Sequence, residues 1–169
     1  MVQVYTGDGK GKTTAAIGQA IRALGHGHKV LMIQFMKGDP SYGEVKFLKK
    51  LKNFKLVQSG LPTFVKKGQP TEVDLKMAEA GLKLAEKFIA TNKYQMIILD
   101  EINIAIDYGL VDLARVLELI KKCPANTELV LTGRYAPQEL IELADLVSEV
   151  KEIKHPYQKG IVSRKGIDY

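Results

Sequence analysis

Near the start of this chain, residues Thr6 to Thr14 read Thr-Gly-Asp-Gly-Lys-Gly-Lys-Thr-Thr, and they restrict the fold more than any other stretch. They lie between an apolar run, Val2 to Tyr5, and the helix-favouring Ala15-Ala16-Ile17. Strand, glycine-rich turn and helix in that order make a phosphate-binding loop. The turn's N–H groups and the helix N-terminus converge on one place and stabilise an anion there. On this reading Gly7, Asp8, Gly9, Lys10, Gly11, Lys12, Thr13 and Thr14 surround phosphate. Lys12 brings an ammonium to it, and Thr13 offers a hydroxyl to Mg2+ (or Mn2+). The standard spacing, G-x-x-x-x-G-K-[ST], has glycine where this chain has Thr6.

Apolar runs and helical patterns alternate along the rest of the sequence. Strands are expected at Val2 to Tyr5, Val30 to Phe35, Phe54 to Val57, Met96 to Leu99, Leu129 to Leu131 and Leu146 to Ile153. Several are apolar throughout, which points to a mainly parallel sheet covered on both faces. Helices are expected at Thr13 to Leu24, which Gly25 ends, and at Thr71 to Thr91, with a capping threonine and a stripe of Leu75, Ala78, Leu82, Ala85 and Ile89. Two more are expected at Leu110 to Lys122 and at Pro137 to Ala144, the latter with proline in its first turn. The expectation is one α/β domain over residues 1–169, a phosphate-loop NTPase-like (RecA-like) three-layer fold. The stretch from Lys37 to Gln69 is rich in glycine and proline around a short amphipathic piece, Val45 to Leu51. It reads either as a substrate wall or as an irregular connection. The tail from His155 to Tyr169 lacks periodicity and reads as a loop or an edge element.

The second strong signal is Met96-Ile97-Ile98-Leu99-Asp100-Glu101, an apolar strand ending in two acids. Carboxylates there stand beside a phosphate loop and hold magnesium or its waters. The two motifs together indicate a nucleotide–magnesium site with Thr13, Asp100 and Glu101 as metal ligands. Asn103 and Asp107 follow on the same segment, as site residues or as solvated helix positions. No serine–histidine–acid or cysteine–histidine constellation is visible. His26 and His28 follow a helix end, where a cation complements the helix dipole. His155 either touches ligand or caps a turn. The single cysteine, Cys123, excludes an internal disulfide and reads as a structural thiol. No stretch approaches the roughly 18 apolar residues of a membrane span, and no leader precedes Val2, so a cytoplasmic protein away from membranes is expected. The net charge of +6 suits a polyanionic ligand, with scattered lysines that do not form a nucleic-acid surface. A transferase, a phosphate-loop ATPase acting as a switch or interaction module, a small-molecule kinase and a non-catalytic carrier all remain open on these motifs.

The sequence resembles the phosphate-loop type of ATP:corrinoid adenosyltransferases, also called cob(I)alamin adenosyltransferases. The resemblance rests on Thr6 to Ala16, Arg22-Ala23 with Gly25-His26-Gly27, Gln34-Phe35 with Lys37-Gly38, and Gly43-Glu44. It continues through Leu99-Asp100-Glu101, Thr132-Gly133-Arg134 with Pro137, Ala144-Asp145, Lys154-His155-Pro156, and Gly160 with Gly166-Ile167. It implies transfer of the 5′-deoxyadenosyl group of ATP to the reduced cobalt of a corrinoid, such as cob(I)yrinic acid a,c-diamide or cobalamin, with release of triphosphate. The corrinoid is then the nucleophile, so the protein needs no general base. ATP lies reversed in the loop in this family, and Thr6 is compatible with that. The resemblance further implies Lys12, Thr13 and Glu101 as the residues of catalysis, and Arg22, Thr132 and Arg134 as nucleotide or leaving-group contacts. It also implies a homodimer and a flavodoxin-like reductase as electron donor. Better-known members carry an N-terminal extension over the corrinoid, and a phenylalanine–tryptophan pair after the third strand that strips cobalt of its lower ligand. Here that region reads Gly60-Leu61-Pro62-Thr63-Phe64-Val65, and the chain has no tryptophan. Phe64 is left either to serve corrinoid alone or to anchor its loop in the core.

Overall fold

In the computed structural model, which describes residues 1–169, the strands are Val2–Thr6 (β1), Val30–Phe35 (β2), Phe54–Ser59 (β3), Met96–Asp100 (β4), Glu128–Thr132 (β5) and Leu146–Glu149 (β6). They form one sheet in the order β3-β2-β4-β5-β1-β6, and every neighbouring pair is parallel. The helices are Lys12–Gly25 (α1), Gly43–Leu48 (α2), Glu72–Thr91 (α3), Ile102–Asp107 (α4), Leu113–Lys121 (α5) and Gln138–Leu143 (α6), followed by a 3-10 turn at Pro156–Lys159.

Side chains alternate across a strand, so each strand feeds two cores. Leu31, Ile33 and Phe35 of β2 pack with Ala78, Leu82, Ala85 and Ile89 of α3 and with residues of α4, α5 and α6. Val30 and Met32 of the same strand pack with Ala16 and Ala20 of α1 and Leu48 of α2. All of β2 is therefore buried, which is why its sequence does not alternate. Helix α3 starts at a reciprocal cap: Asp74 N–H donates to Thr71 Oγ1 at 3.2 Å and Thr71 N–H donates to the Asp74 carboxylate at 2.9 Å. It ends where Asn92 turns left-handed, φ 46°. Replacing Leu82, fully buried beneath this helix, by alanine should lower Tm by roughly 5–15 °C, measured by thermal unfolding. No helix is long and apolar enough to cross a membrane.

Several boundaries differ from expectation. Strand β6 stops at Glu149 rather than Ile153, because the next residues leave the sheet to grip the phosphate loop. Val150 N–H donates to Thr6 O at 2.9 Å, and Gly9 N–H donates to Val150 O at 2.7 Å. Helix α4 lies directly after the acid pair, where no capping signal marks it. Helix α5 begins at Leu113, capped by Asp112, because Leu110 and Val111 are buried in the preceding connection. Leu75 is exposed at the start of the α3 stripe, and Pro137 caps α6 rather than entering its first turn. The tail forms turns over the rim of the sheet and adds no edge strand.

Candidate active site

Parallel strands bring all their C-terminal ends to one rim, and there a cavity of about 700 Å³ opens. The phosphate loop forms its floor. Gly7 has φ 95° and Gly11 has φ 120°, left-handed values that glycine adopts without strain. A Cβ on Gly7 would strike the Val150 backbone, so this glycine is needed for close approach as well. Asp8 lines the cavity and accepts Glu152 N–H at 3.0 Å. Lys10 pairs with Asp168 of the tail. Thr6 has a function that glycine at this position would lack: its hydroxyl accepts Ala136 N–H at 3.2 Å and ties down the loop after β5. The N–H groups of Gly7, Lys10 and Gly11 have no backbone partner within the protein and are available to an anion. Lys12, the first residue of α1, is buried and donates to Gly9 O at 2.5 Å. Burial holds its ammonium below the usual lysine range, with Glu101 opposing that shift and Arg134 reinforcing it.

The acid strand meets this loop directly. Thr13 Oγ1 donates to Asp100 Oδ1 at 2.8 Å, and Thr132 Oγ1 donates to the same oxygen at 2.7 Å. On the other oxygen, Lys37 Nζ donates at 2.8 Å and Gln34 Nε2 at 3.2 Å. Asp100 is fully buried, which alone would raise its pKa, yet the Lys37 charge and these hydrogen bonds hold it below the usual carboxylate range. Glu101 follows in the left-handed region, φ 62°, where β4 turns at once into α4. Its N–H donates to Thr132 Oγ1 at 3.0 Å, and its side chain lines the cavity 3.6 Å from Lys37 Nζ. Burial pushes the Glu101 carboxyl up, against the pull of Lys37 and with the Asp100 charge adding to it. Burial acts against the Lys37 ammonium, but Asp100 and Glu101 outweigh it and raise its pKa well above an ordinary lysine's.

Asp100, Glu101 and the Thr13 hydroxyl are hard oxygen donors around one position that already accommodates a positive charge. No cluster of three histidine, cysteine or acidic side chains is present. That set fits Mg2+, which takes one or two carboxylates and completes its shell with phosphate oxygens and water.

The other expectations divide. Arg134 lines the cavity. Thr132 is fully buried, its hydroxyl donating to the Asp100 carboxylate and accepting the Glu101 N–H, so it positions the acids. Arg22 lies in the last turn of α1, about 15 Å along the axis from Lys12, exposed and away from the cavity. The phosphate loop anchors only the opposite end of that helix. Asn103 is not solvated: it is fully buried and donates to Gly133 O at 3.1 Å. Asp107 pairs with Lys67 at 2.7 Å. His155 lines the cavity and also caps the 3-10 turn, its Nδ1 accepting Tyr157 N–H at 3.2 Å. Cys123 is half-buried against the core, and burial pushes its thiol up. The glycine-rich stretch does form a wall, and Phe64, 97% exposed, stands in it at the cavity instead of anchoring a core. No sequence motif gives Lys37 or Gln34 a role. Their place at the C-terminal end of an apolar strand was the available signal.

The fold agrees with that of a KaiC-like protein from Pyrococcus horikoshii, at a TM-score of 0.57 over 90% of this chain and 73% of that one, with 16% identity. Sequence comparison gives closer relatives. A corrinoid adenosyltransferase of Pseudomonas aeruginosa is 38% identical over 98% of this chain and 82% of that protein. One of Escherichia coli is 35% identical over 100% of this chain and 85% of its own length. The family model for ATP:corrinoid adenosyltransferase BtuR/CobO/CobP matches residues 1–169. A phosphate loop joined through Thr13 to an acid strand, beneath a cavity walled by an exposed phenylalanine, thus sits in a sequence that matches this model from end to end, and the chain belongs to the BtuR/CobO/CobP family of ATP:corrinoid adenosyltransferases.

Proposed function

We propose that this protein transfers the 5′-deoxyadenosyl group of ATP to the reduced cobalt of a corrinoid. Family membership over the whole chain supports the reading. The observation that carries it structurally is the 2.8 Å contact between Thr13 and Asp100, which joins the anion-binding loop to the acid pair under a nucleotide-sized cavity. The chemistry asks the protein to bind, orient and exclude water. The electron pair of cob(I) forms the cobalt–C5′ bond, the C5′–O bond breaks with its electrons going to triphosphate, and cobalt becomes formally Co(III). The free N–H groups of the loop and the Lys12 ammonium stabilise the charge that develops on the leaving triphosphate. Thr13, Asp100 and Glu101 would hold Mg2+ (or Mn2+), which when bound neutralises further phosphate charge. Arg134 stands in the cavity wall, where its guanidinium can meet a phosphate.

The test is direct. With magnesium-ATP and chemically reduced cobalamin, the visible spectrum should become that of adenosylcobalamin while triphosphate accumulates. ADP and phosphate with unchanged cobalamin would refute the assignment and favour an ATPase or kinase. Resemblance supports cob(I)yrinic acid a,c-diamide as a substrate, a homodimer, a cytoplasmic setting and a flavodoxin-like reductase that supplies the electron for cob(I). Phe64 has almost no packing to lose. Phe64→Ala should leave Tm within about 2 °C, as exposed substitutions do, while the KM for corrinoid rises several-fold and that for ATP stays constant.

A further inference from the structure

Lys37 occupies an unexpected place. Its ammonium lies 2.8 Å from Asp100 Oδ2, 3.1 Å from Thr13 Oγ1 and 3.6 Å from Glu101 Oε1, the same three groups proposed above as metal ligands. The backbone delivers it there. Met36 turns left-handed at φ 56° as β2 ends, and Gly38 passes so near Gly60 that a Cβ on either would strike the other strand's exit. Asp100 does not need this lysine to satisfy its hydrogen bonds, because Thr13, Thr132 and Gln34 already supply three donors. What the fourth donor adds is charge. Glu101 lines the cavity with the buried Asp100 beside it, and this pair of carboxylates would otherwise attract any divalent cation before nucleotide arrives.

We infer that Lys37 is a surrogate cation: it fills the divalent-ion position between Asp100, Glu101 and Thr13 and excludes free metal until nucleotide phosphates are present. The inference rests on the metal-site reading of the acid pair. An entering divalent ion must displace the ammonium, and without phosphate Lys37 exchanges two carboxylates for a weaker partner such as Glu44, which lines the same cavity. With triphosphate in the cavity, which Lys37 also lines, the ammonium can turn to the phosphates while metal takes the carboxylates. Metal and nucleotide then bind as a linked pair, each favouring the other. Lys37 is in this sense a positioning residue that sets the order of loading.

Mn2+ titration followed by electron paramagnetic resonance, without nucleotide, tests this. The parent protein should bind Mn2+ weakly. Lys37→Met should bind it at least about tenfold more tightly, because the competitor is gone. Lys37→Arg should remain weak, since it keeps the charge. The gain should vanish in Lys37→Met combined with Glu101→Gln, and Mn2+ should raise the Tm of Lys37→Met but not that of the parent protein. Lys37→Gln, which retains a donor to Asp100, gives the same comparison if the methionine variant does not fold. Equal affinity of the parent and uncharged variants, with Mn2+ uptake in the presence of ATP still lost on Glu101→Gln, overturns the surrogate role alone. If uptake with ATP is indifferent to Glu101, the metal-site reading falls as well, and this inference with it.

Discussion

Lys12→Met should reduce turnover about a thousand-fold while Tm stays level or rises. The loss follows from removing a positive charge from the place where triphosphate charge develops, an effect of roughly 10²–10³ for a single aimed donor and larger for a full charge. At about 1.4 kcal/mol per decade, it corresponds to roughly 4 kcal/mol of transition-state stabilisation. The stability forecast has a different basis. The Lys12 ammonium is buried, has a carbonyl, Gly9 O, as its hydrogen-bond partner, and is disfavoured by burial. Methionine fills the same volume without a charge to desolvate. Single-turnover spectroscopy together with a melting curve separates the two effects. Near-normal turnover in this variant would show that the loop does not hold the leaving group.

Asp100→Ala should be the most damaging single change to folding among the site residues, costing about 3 kcal/mol and lowering Tm by roughly 6–12 °C. The carboxylate accepts from Thr13, Thr132, Gln34 and Lys37, and its removal leaves a largely enclosed ammonium without its nearest counter-charge. The estimate is at the low end for a broken buried pair because Glu101 remains 3.6 Å from that ammonium. Turnover should fall below detection at the same time, since Thr13 loses the partner that fixes its hydroxyl. Adding Lys37→Met to Asp100→Ala should restore part of the stability and none of the activity, a non-additive result expected of residues in one network. Urea unfolding of the two single variants and the double variant measures this coupling. Simple additivity would mean that Lys37 and Asp100 do not depend on each other.

The loop and the acid strand were legible because each is local: glycines, lysine and threonine at fixed spacing after an apolar run, then acids after another. The parallel sheet was legible because β2 and β4 are buried on both faces and read as unbroken apolar runs. What escaped was tertiary. Gln34 lies on β2 and Lys37 just past its end, both more than sixty residues before Asp100, and only the pairing of β2 with β4 brings Gln34 opposite it. Thr132 resembles a ligand contact in sequence, but its hydroxyl is committed inward, donating to the Asp100 carboxylate and accepting the Glu101 N–H. Helix α4 went unseen because it begins on a left-handed glutamate and runs through Ile102, Ile104 and Ile106, residues that fit a strand equally well. Val150 and Ile153 prolong the apolar pattern of β6 beyond its end at Glu149. The chain instead leaves the sheet at Glu149 to hydrogen-bond the phosphate loop, a partner far away in sequence.

The one-directional sheet has a practical consequence. With every strand pointing the same way, the turns at Gly25–Lys29 and Pro124–Thr127 lie on the rim opposite the cavity. His26, Gly27 and His28 are exposed there. An enzyme fixed to a surface through that turn would present its open cavity outward, toward electrode-driven or photochemical reductants. The idle edge of the molecule thus serves as an attachment point for supplying a reaction that consumes electrons at the other.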